Sequence, residues 1–480
     1  MDRSWVRPRP RTAAILAIAL LSAACGNQTV PLPSPSGAPP TIATAPRSEG
    51  AVSAPATPPA ASASAAARIE QPPVPSGVPV APESARVDLG MPTFSNPTSI
   101  TNPLFPVSRQ EAVLMLGHVD GKPFRTEVTL LPYTRIVVWN GVQVETLVSQ
   151  YQAYLDGRIQ EVAYDLYAQA DDGSVWYFGE DVADFADGAI VTKEGTWLAG
   201  KDAPAAMIMP GAPKIGDVFR TENSPGFAFE EVTVKTVDQT LDGPLGSIPG
   251  GMVMSELHMD GATEDKTFAP GYGEFLTSGG GDVEALALSG SADAATGPEP
   301  AELGTLRAGA VAVFDGATAN NWSAASTAVR AMSAAWTTVR AAGVPKLVEP
   351  QVTTALDAVS KAVVAREVGR SRQAAIDADR LMLDLRLRYQ PAARINLERL
   401  DLWAAQVLVD ASAKDMAAIR GDAFVLVYHR DRILGSIDPG SLGRLNTALL
   451  DLQVAALDGE IAAAAKAATQ IRAIVAAIQA

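Results

Sequence analysis

The chain has 480 residues, enough for two or three domains that each bury a core. Its 47% hydrophobic and 19% charged residues describe a globular protein, with 35 Pro and 39 Gly marking an extended part. Charge is concentrated: residues 1–95 carry +2, residues 96–300 carry -19 and residues 301–480 carry +2, for a net -15. A middle segment that acidic repels nucleic acid and anionic membrane surfaces and favours cations and basic partners. One cysteine, Cys25, excludes an intrachain disulfide and a Cys-rich metal site.

Residues 1–25 have the three parts of a secretory signal: Arg3, Arg7, Arg9 and Arg11, an apolar run from Ala13 to Leu21, then small residues up to Cys25. The run is too short for a permanent membrane span. Leu21-Ser22-Ala23-Ala24-Cys25 resembles a bacterial lipobox, with Ser22 where many such motifs carry Leu. The resemblance implies cleavage before Cys25 and a diacylglyceryl group on its sulfur, and two or more acyl chains make a stable anchor. It places the protein outside the cytoplasm, lipid-anchored to a bacterial membrane. Residues 26–95 follow as a Pro/Ala/Ser-rich tether, with P-L-P-S-P-S at 31–36 and P-A-T-P-P-A at 55–60. Such a composition buries too little apolar surface to offset its ordering entropy, so it is predicted to be disordered.

Residues 96–290 read as antiparallel β structure. Alternation at Thr126–Leu130 and Arg135–Trp139, and the Val, Thr and Tyr of 142–154, mark strands. Asp120-Gly121, Asn140-Gly141, Asp156-Gly157, Asp172-Gly173 and Asp187-Gly188 supply the positive φ angles of tight hairpin turns. Further runs near 218–220, 229–234, 252–257 and 283–288 bring the count to about ten strands, which must form a barrel, half-barrel or sandwich. The hairpin from Tyr164 to Asp181 is its centre. Three motifs stand in order: Asn102-Pro103-Leu104-Phe105-Pro106, Y-A-Q-A-D-D-G-S-V-W-Y-F-G-E-D at 167–181, and Phe268-Ala269-Pro270-Gly271-Tyr272-Gly273. Together they resemble an uncharacterised β domain of exported bacterial proteins. Ala170, Ser174 and Tyr272 depart from its pattern, where Asp, Asn and Val are usual. The resemblance implies an exported β module and transfers no catalytic residue.

Residues 301–480 change to helical period, with Trp322, Val329, Met332, Trp336 and Val339 on one face. A shift of 93 residues lays Thr354-Ala355-Leu356 on Thr447-Ala448-Leu449, and Ala375, Ala378, Met382 and Leu385 on Ala468, Ile471, Val475 and Ile478. This predicts an all-α bundle built from two copies of three or four helices, about 302–390 and 396–480, meeting at Pro391. The small, polar stretch Ser289–Pro300 reads as a cleavable linker between independently folding β and helical domains.

No nucleophile elbow, H-E-x-x-H helix or P-loop is present, so no catalytic residue and no cofactor are assigned. Glu180, Asp181, Asp184 and Asp187 cluster after the aromatic strand and offer oxygen ligands to Ca²⁺, although no register meets the EF-hand rule. In a strand Trp176 and Phe178 face one way and Tyr177 the other, and Trp176, Phe178, Tyr164 and Tyr167 are the candidate wall of a ligand pocket. The histidines 118, 258 and 429 are far apart in sequence. The leading expectation is a non-enzymatic envelope lipoprotein whose β domain binds a small molecule or protein partner and whose helices form a scaffold. The alternatives are a hydrolase or carbohydrate-active enzyme using a carboxylate pair such as Glu180 and Asp184, and a periplasmic lipid or lipoprotein carrier.

Overall fold

Four of the five Asx-Gly pairs set the architecture of the sheet. In the computed structural model, which describes residues 74 and 77–479, Asp120, Asn140, Asp156 and Asp187 have φ of 50–52° and the glycine after each has φ of 72–78°, as two-residue hairpin turns of this kind require. They join β1 (Val113–Val119), β2 (Lys122–Trp139), β3 (Val142–Leu155) and β4 (Arg158–Gln169), and β5 (Val175–Ala186) to β6 (Ala189–Thr192). Asp172-Gly173 differs: only Gly173 has positive φ, and the Asp172 carboxylate accepts a hydrogen bond from the Ser174 N–H at 2.9 Å. The runs 126–130 and 135–139 are one strand, β2, whose register against β3 shifts between Leu130 and Thr134. Cys25, the signal at 1–25 and the tether before residue 74 lie outside the described residues.

β7 (Trp197–Leu198) and β8 (Ala206–Met209) pair with β5, and a second meander runs through β9 (Val218–Ser224), β10 (Ala228–Asp242), β11 (Ser247–His258), β12 (Thr263–Ala269), β13 (Gly273–Gly279) and β14 (Asp282–Ser289). Pairing of β14 with β1 fuses the two into a 14-stranded antiparallel sheet of order β6-β5-β4-β3-β2-β1-β14-β13-β12-β11-β10-β9. The sheet stays open. β9, at one end of the order, packs beside β8 with no ladder between them. The result is a half-barrel curled until its two ends approach.

Eight helices follow: α1 (Ala301–Thr318), α2 (Trp322–Ala341), α3 (Val348–Ala365), α4 (Val368–Arg386), α5 (Ala392–Ala413), α6 (Met416–Asp431), α7 (Pro439–Asp458) and α8 (Ile461–Gln479). In α1–α4 and again in α5–α8, each helix packs on the next and the first packs on the fourth. The side chains of Asn321 and Asp415 cap α2 and α6 in the same way, and the left-handed caps Arg366 and Gly459, 93 residues apart, end α3 and α7. Met382 and Val475 are both fully buried, and Pro391 stands directly before α5. α8 is the one helix among the described residues long and apolar enough to cross a membrane, yet it sets Ala464, Ala468, Ile471 and Val475 into the second quartet's core.

The helices cover the outer face of the half-barrel. Leu114, Leu116 and Leu288 join the α1–α4 core, and Tyr154, Ile159, Val162 and Phe185 join that of α5–α8. Between these apolar areas lies a buried ionic network. Glu127 on β2 accepts hydrogen bonds from Arg432 (2.6 Å), Arg399 (3.1 Å) and Arg125 (2.6 Å), and Asp384 on α4 accepts from Arg125 (2.8 Å) and Arg399 (2.7 Å). Burial alone would raise the Glu127 carboxyl, but Arg399, Arg125 and Arg432 hold it well below its usual range. The β and helical segments therefore form one compact unit. Ser289–Pro300 is not a free linker: the Ala295 N–H donates to the Arg388 carbonyl at 2.8 Å, and Glu299 accepts from Arg386 and Gln390, both at 2.6 Å. Residues before 96 also pack on the sheet: Arg86 bridges to Val218 and the Ala81 N–H donates to Glu231 at 2.6 Å.

Replacing one member of a buried ion-pair network strands its partners, typically at about 3–5 kcal/mol. Arg432→Met is expected to lose stability on that order, with tryptophan fluorescence and helical circular dichroism reporting one coincident urea transition. Loss of helical signal while the sheet stays folded would refute the shared unit.

Candidate binding cavity

Gly179 decides what faces the inside of the half-barrel. Its φ of 122° is open to glycine, and a Cβ there would lie 2.2 Å from the Trp197 carbonyl oxygen. The residue inserts an irregularity into β5: Tyr177 pairs with Tyr167 and Glu180 with Asp165, so Phe178 and Gly179 on β5 stand opposite Leu166 alone on β4. Parity switches at that point. Trp176 and Phe178 point outward, against Trp139 and against Phe94 and Trp139 respectively, while Tyr177, Glu180, Val182 and Asp184 share the inner side.

The inner face encloses a cavity of about 160 Å³. Aromatic rings make part of its wall: Tyr167 stacks on Tyr177 with centroids 5.0 Å apart, Phe105 meets Tyr167 edge-on at 5.1 Å, and Tyr151 and Phe268 complete it. The rest is acidic. β4 contributes Glu161 and Asp165, β5 Glu180, and β9 Glu222. β10 adds Glu230, the cross-strand neighbour of Glu222, and β11, β13 and β14 add Glu256, Glu274 and Glu284, with Lys266 as the only cationic lining residue among the described residues. The Lys266 ammonium is 2.8 Å from Glu256 and 3.6 Å from Glu264. Among the described residues no ion pair reaches Glu161, Asp165, Glu180 or Glu222. The Tyr177 hydroxyl donates to Asp165 at 2.7 Å, whereas the Tyr151 hydroxyl, on a residue 7% exposed, has no partner among the described residues.

So many carboxyls in one enclosed space cannot all ionise. Burial followed by Asp184 pushes Glu161 up to about 8, burial and then Glu274 push Glu284 up to about 8, and burial raises Asp165 to about 7. Glu180 and Glu222 hydrogen-bond to each other from β5 and β9, the strands at the two ends of the curl. Burial and the Glu222 charge hold Glu180 well above its usual range, and burial brings Glu222 to about 7.

The three sequence motifs converge at one end of this cavity. Buried Asn102 donates to the carbonyls of Gly173 (3.0 Å) and Pro210 (2.9 Å) and accepts from the Leu104 N–H (3.0 Å). The Pro103 carbonyl accepts from the Gly271 N–H at 2.8 Å, and Gln110 donates to the Tyr272 carbonyl at 2.7 Å. The segment 102–110 is thus a plug that places Phe105 and Gln110 against the cavity.

Of the four residues expected to line a pocket, only Tyr167 does so. Trp176 and Phe178 face away because of the switch at Gly179, and Tyr164 turns toward the helices, donating to Asp431 at 2.8 Å. The four clustered carboxylates do not gather around one point: Glu180 and Asp184 are on the inner side, Asp181 is exposed beside Lys193 at 3.7 Å, and Asp187 sits in a turn. Glu180 and Asp184 are four residues apart on one strand, about 13 Å at 3.3 Å per residue, beyond the ~5–9.5 Å a glycosidase pair needs. One set with metal-ligand geometry exists among the described residues: Glu230, Glu256 and His258, with ligand atoms within 4.8 Å of one another. Lys266 already stands there as the counter-charge to Glu256. His118 is exposed, and His429 is buried in the interface beneath Arg432. The cavity acids other than Glu180 were missed because the eight lie on seven different strands, with no shared spacing in sequence.

No known protein family matches the chain, and comparison with curated proteins finds no match.

Carboxyls raised by folding bind more protons in the native than in the unfolded chain between about pH 4 and pH 8, so stability falls as pH rises through that window. Glu127 works in the opposite sense, but only below the ordinary carboxylate range. The melting temperature is expected to be higher at pH 5.5 than at pH 8, and Glu222→Gln to shrink that difference. An unchanged or rising melting temperature toward pH 8 would contradict the account of the cavity.

Proposed function

We propose that this protein is a non-enzymatic, lipid-anchored component of a bacterial cell envelope whose half-barrel binds a small molecule, with the helical quartets as the scaffold that supports the sheet from outside. The enclosed cavity, with its aromatic and carboxyl wall, carries this reading. Eight carboxyl-bearing residues line the cavity, which disfavours an acyl chain as occupant and with it the carrier alternative. Glu161, Asp165, Glu180 and Glu222 all shift upward, whereas hydrolysis by a carboxylate pair needs one group kept ionised and the other protonated. Anchoring rests on the lipobox resemblance at Cys25, and the resemblance to an exported β module agrees with it.

Two measurements test this reading. Native mass spectrometry of the full chain, isolated from membranes in mild detergent, is expected to show a retained small molecule that Tyr177→Ala releases. Cys25→Ser is expected to accumulate uncleaved precursor without diacylglyceryl; an unmodified Cys25 in the wild-type protein would remove the anchor from the account.

A further inference from the structure

We propose that the cavity binds a small organic ammonium ion, seated among Glu161, Asp165, Glu180 and Glu222 and against the rings of Tyr151 and Tyr177. The inference rests on the binding reading above and names its ligand class. Three observations converge on it.

First, the cavity already contains one ammonium, that of Lys266, held by Glu256 and Glu264 at 2.8 and 3.6 Å. Its ion pairs lie on one flank only, and Glu222 feels its charge without pairing to it. The carboxyls of β4, β5 and β9 form a second acidic flank with no cation of their own among the described residues. Second, the wall beside those carboxyls, on the same strands, is aromatic, with Tyr167 and Tyr177 stacked at 5.0 Å. Aromatic faces attract organic cations, most strongly where water is excluded, and offer nothing comparable to an anion. Third, the Tyr151 hydroxyl is buried in the same cavity without a hydrogen-bond partner among the described residues, as is one oxygen of Glu284, a residue 1% exposed. Buried polar atoms left unpaired are costly and point to a missing partner. An alkylammonium supplies N–H or polarised C–H donors to the carboxyls and a hydroxyl-bearing one can accept from Tyr151.

A bare metal ion fits less well. The one cluster with metal-ligand geometry among the described residues has the Lys266 ammonium 2.8 Å from its Glu256, and the aromatic wall offers a hard metal ion only neutral tyrosine hydroxyls. Entry has a route in the fold, because the β8–β9 seam has no ladder to break and is crossed by the Glu180–Glu222 contact. A cation arriving there meets both carboxyls.

The test is calorimetric titration of the full chain in detergent with choline, putrescine and 3,3-dimethylbutanol, the neutral isostere of choline. Charge-assisted hydrogen bonds discriminate by about ten-fold to a hundred-fold, so at least one cation should bind ten-fold or more tightly than the isostere. Glu222→Gln should weaken it about ten-fold. Tyr151→Phe, which removes only a hydroxyl and guards against misfolding of the carboxyl variant, should weaken choline more than putrescine. Exposed Glu145→Gln should have no effect. Equal binding of isostere and choline would overturn the ligand class while leaving the cavity a binding site. Binding of Zn²⁺ or Ca²⁺ alone, abolished by His258→Ala, would overturn it in favour of a metal. If neither cation nor isostere binds and native mass spectrometry finds the cavity empty, the binding reading falls with it.

Discussion

The buried contact between Glu127 and the guanidinium groups of Arg125, Arg399 and Arg432 is the constraint on which the rest of the molecule depends. Glu127 and Arg125 lie on the outer face of β2, and both are buried only because α4, α5 and the end of α6 deliver Asp384, Arg399 and Arg432 to them. An isolated half-barrel would turn those groups, together with Tyr154, Val162 and Phe185, toward solvent. The inner face still contributes to an apolar core of its own, through Tyr167, Tyr177, Met254 and Phe268, and the carboxyl groups stand beside it.

The same division explains the placement of charge. Acidic residues of the middle segment are spread over exposed turns, the interface and the cavity wall, and the cavity portion is sustained by protonation and by Lys266 rather than by solvent. Positive charge is concentrated on the helices, and part of it is consumed at the interface: Arg399 and Arg432 meet Glu127, while Arg158 of β4 pairs in the reverse direction with Asp410 of α5 at 2.9 Å. Charges at such an interface set register more than they add stability, because desolvation offsets much of the attraction.

Local features were legible in the sequence and long-range ones were not. Asx-Gly pairs located four hairpin turns because their chemistry is confined to two residues. The helical period and the 93-residue correspondence located Met382 and Val475 in the core because burial on a helix repeats at short spacing. Alternation failed at Gly179, where one inserted residue exchanged the faces of the strand and moved the pocket from Trp176 and Phe178 to Tyr177 and Glu180. The apparent linker at 289–300 has a linker's composition but is held by Arg386, Arg388 and Gln390, more than eighty residues away in the chain. The convergence of Asn102 with Gly173 and of Pro103 with Gly271 gives the three motifs a common physical purpose that no one of them reveals alone.

The central claim is that sheet and helices are one folding unit, and it is tested most directly by producing residues 78–290 without the helices. The account predicts a chain that lacks a cooperative thermal transition and exposes apolar surface to a hydrophobic dye, since the outer face of β2–β4 loses its cover. A soluble, cooperatively melting half-barrel with native β circular dichroism would contradict it.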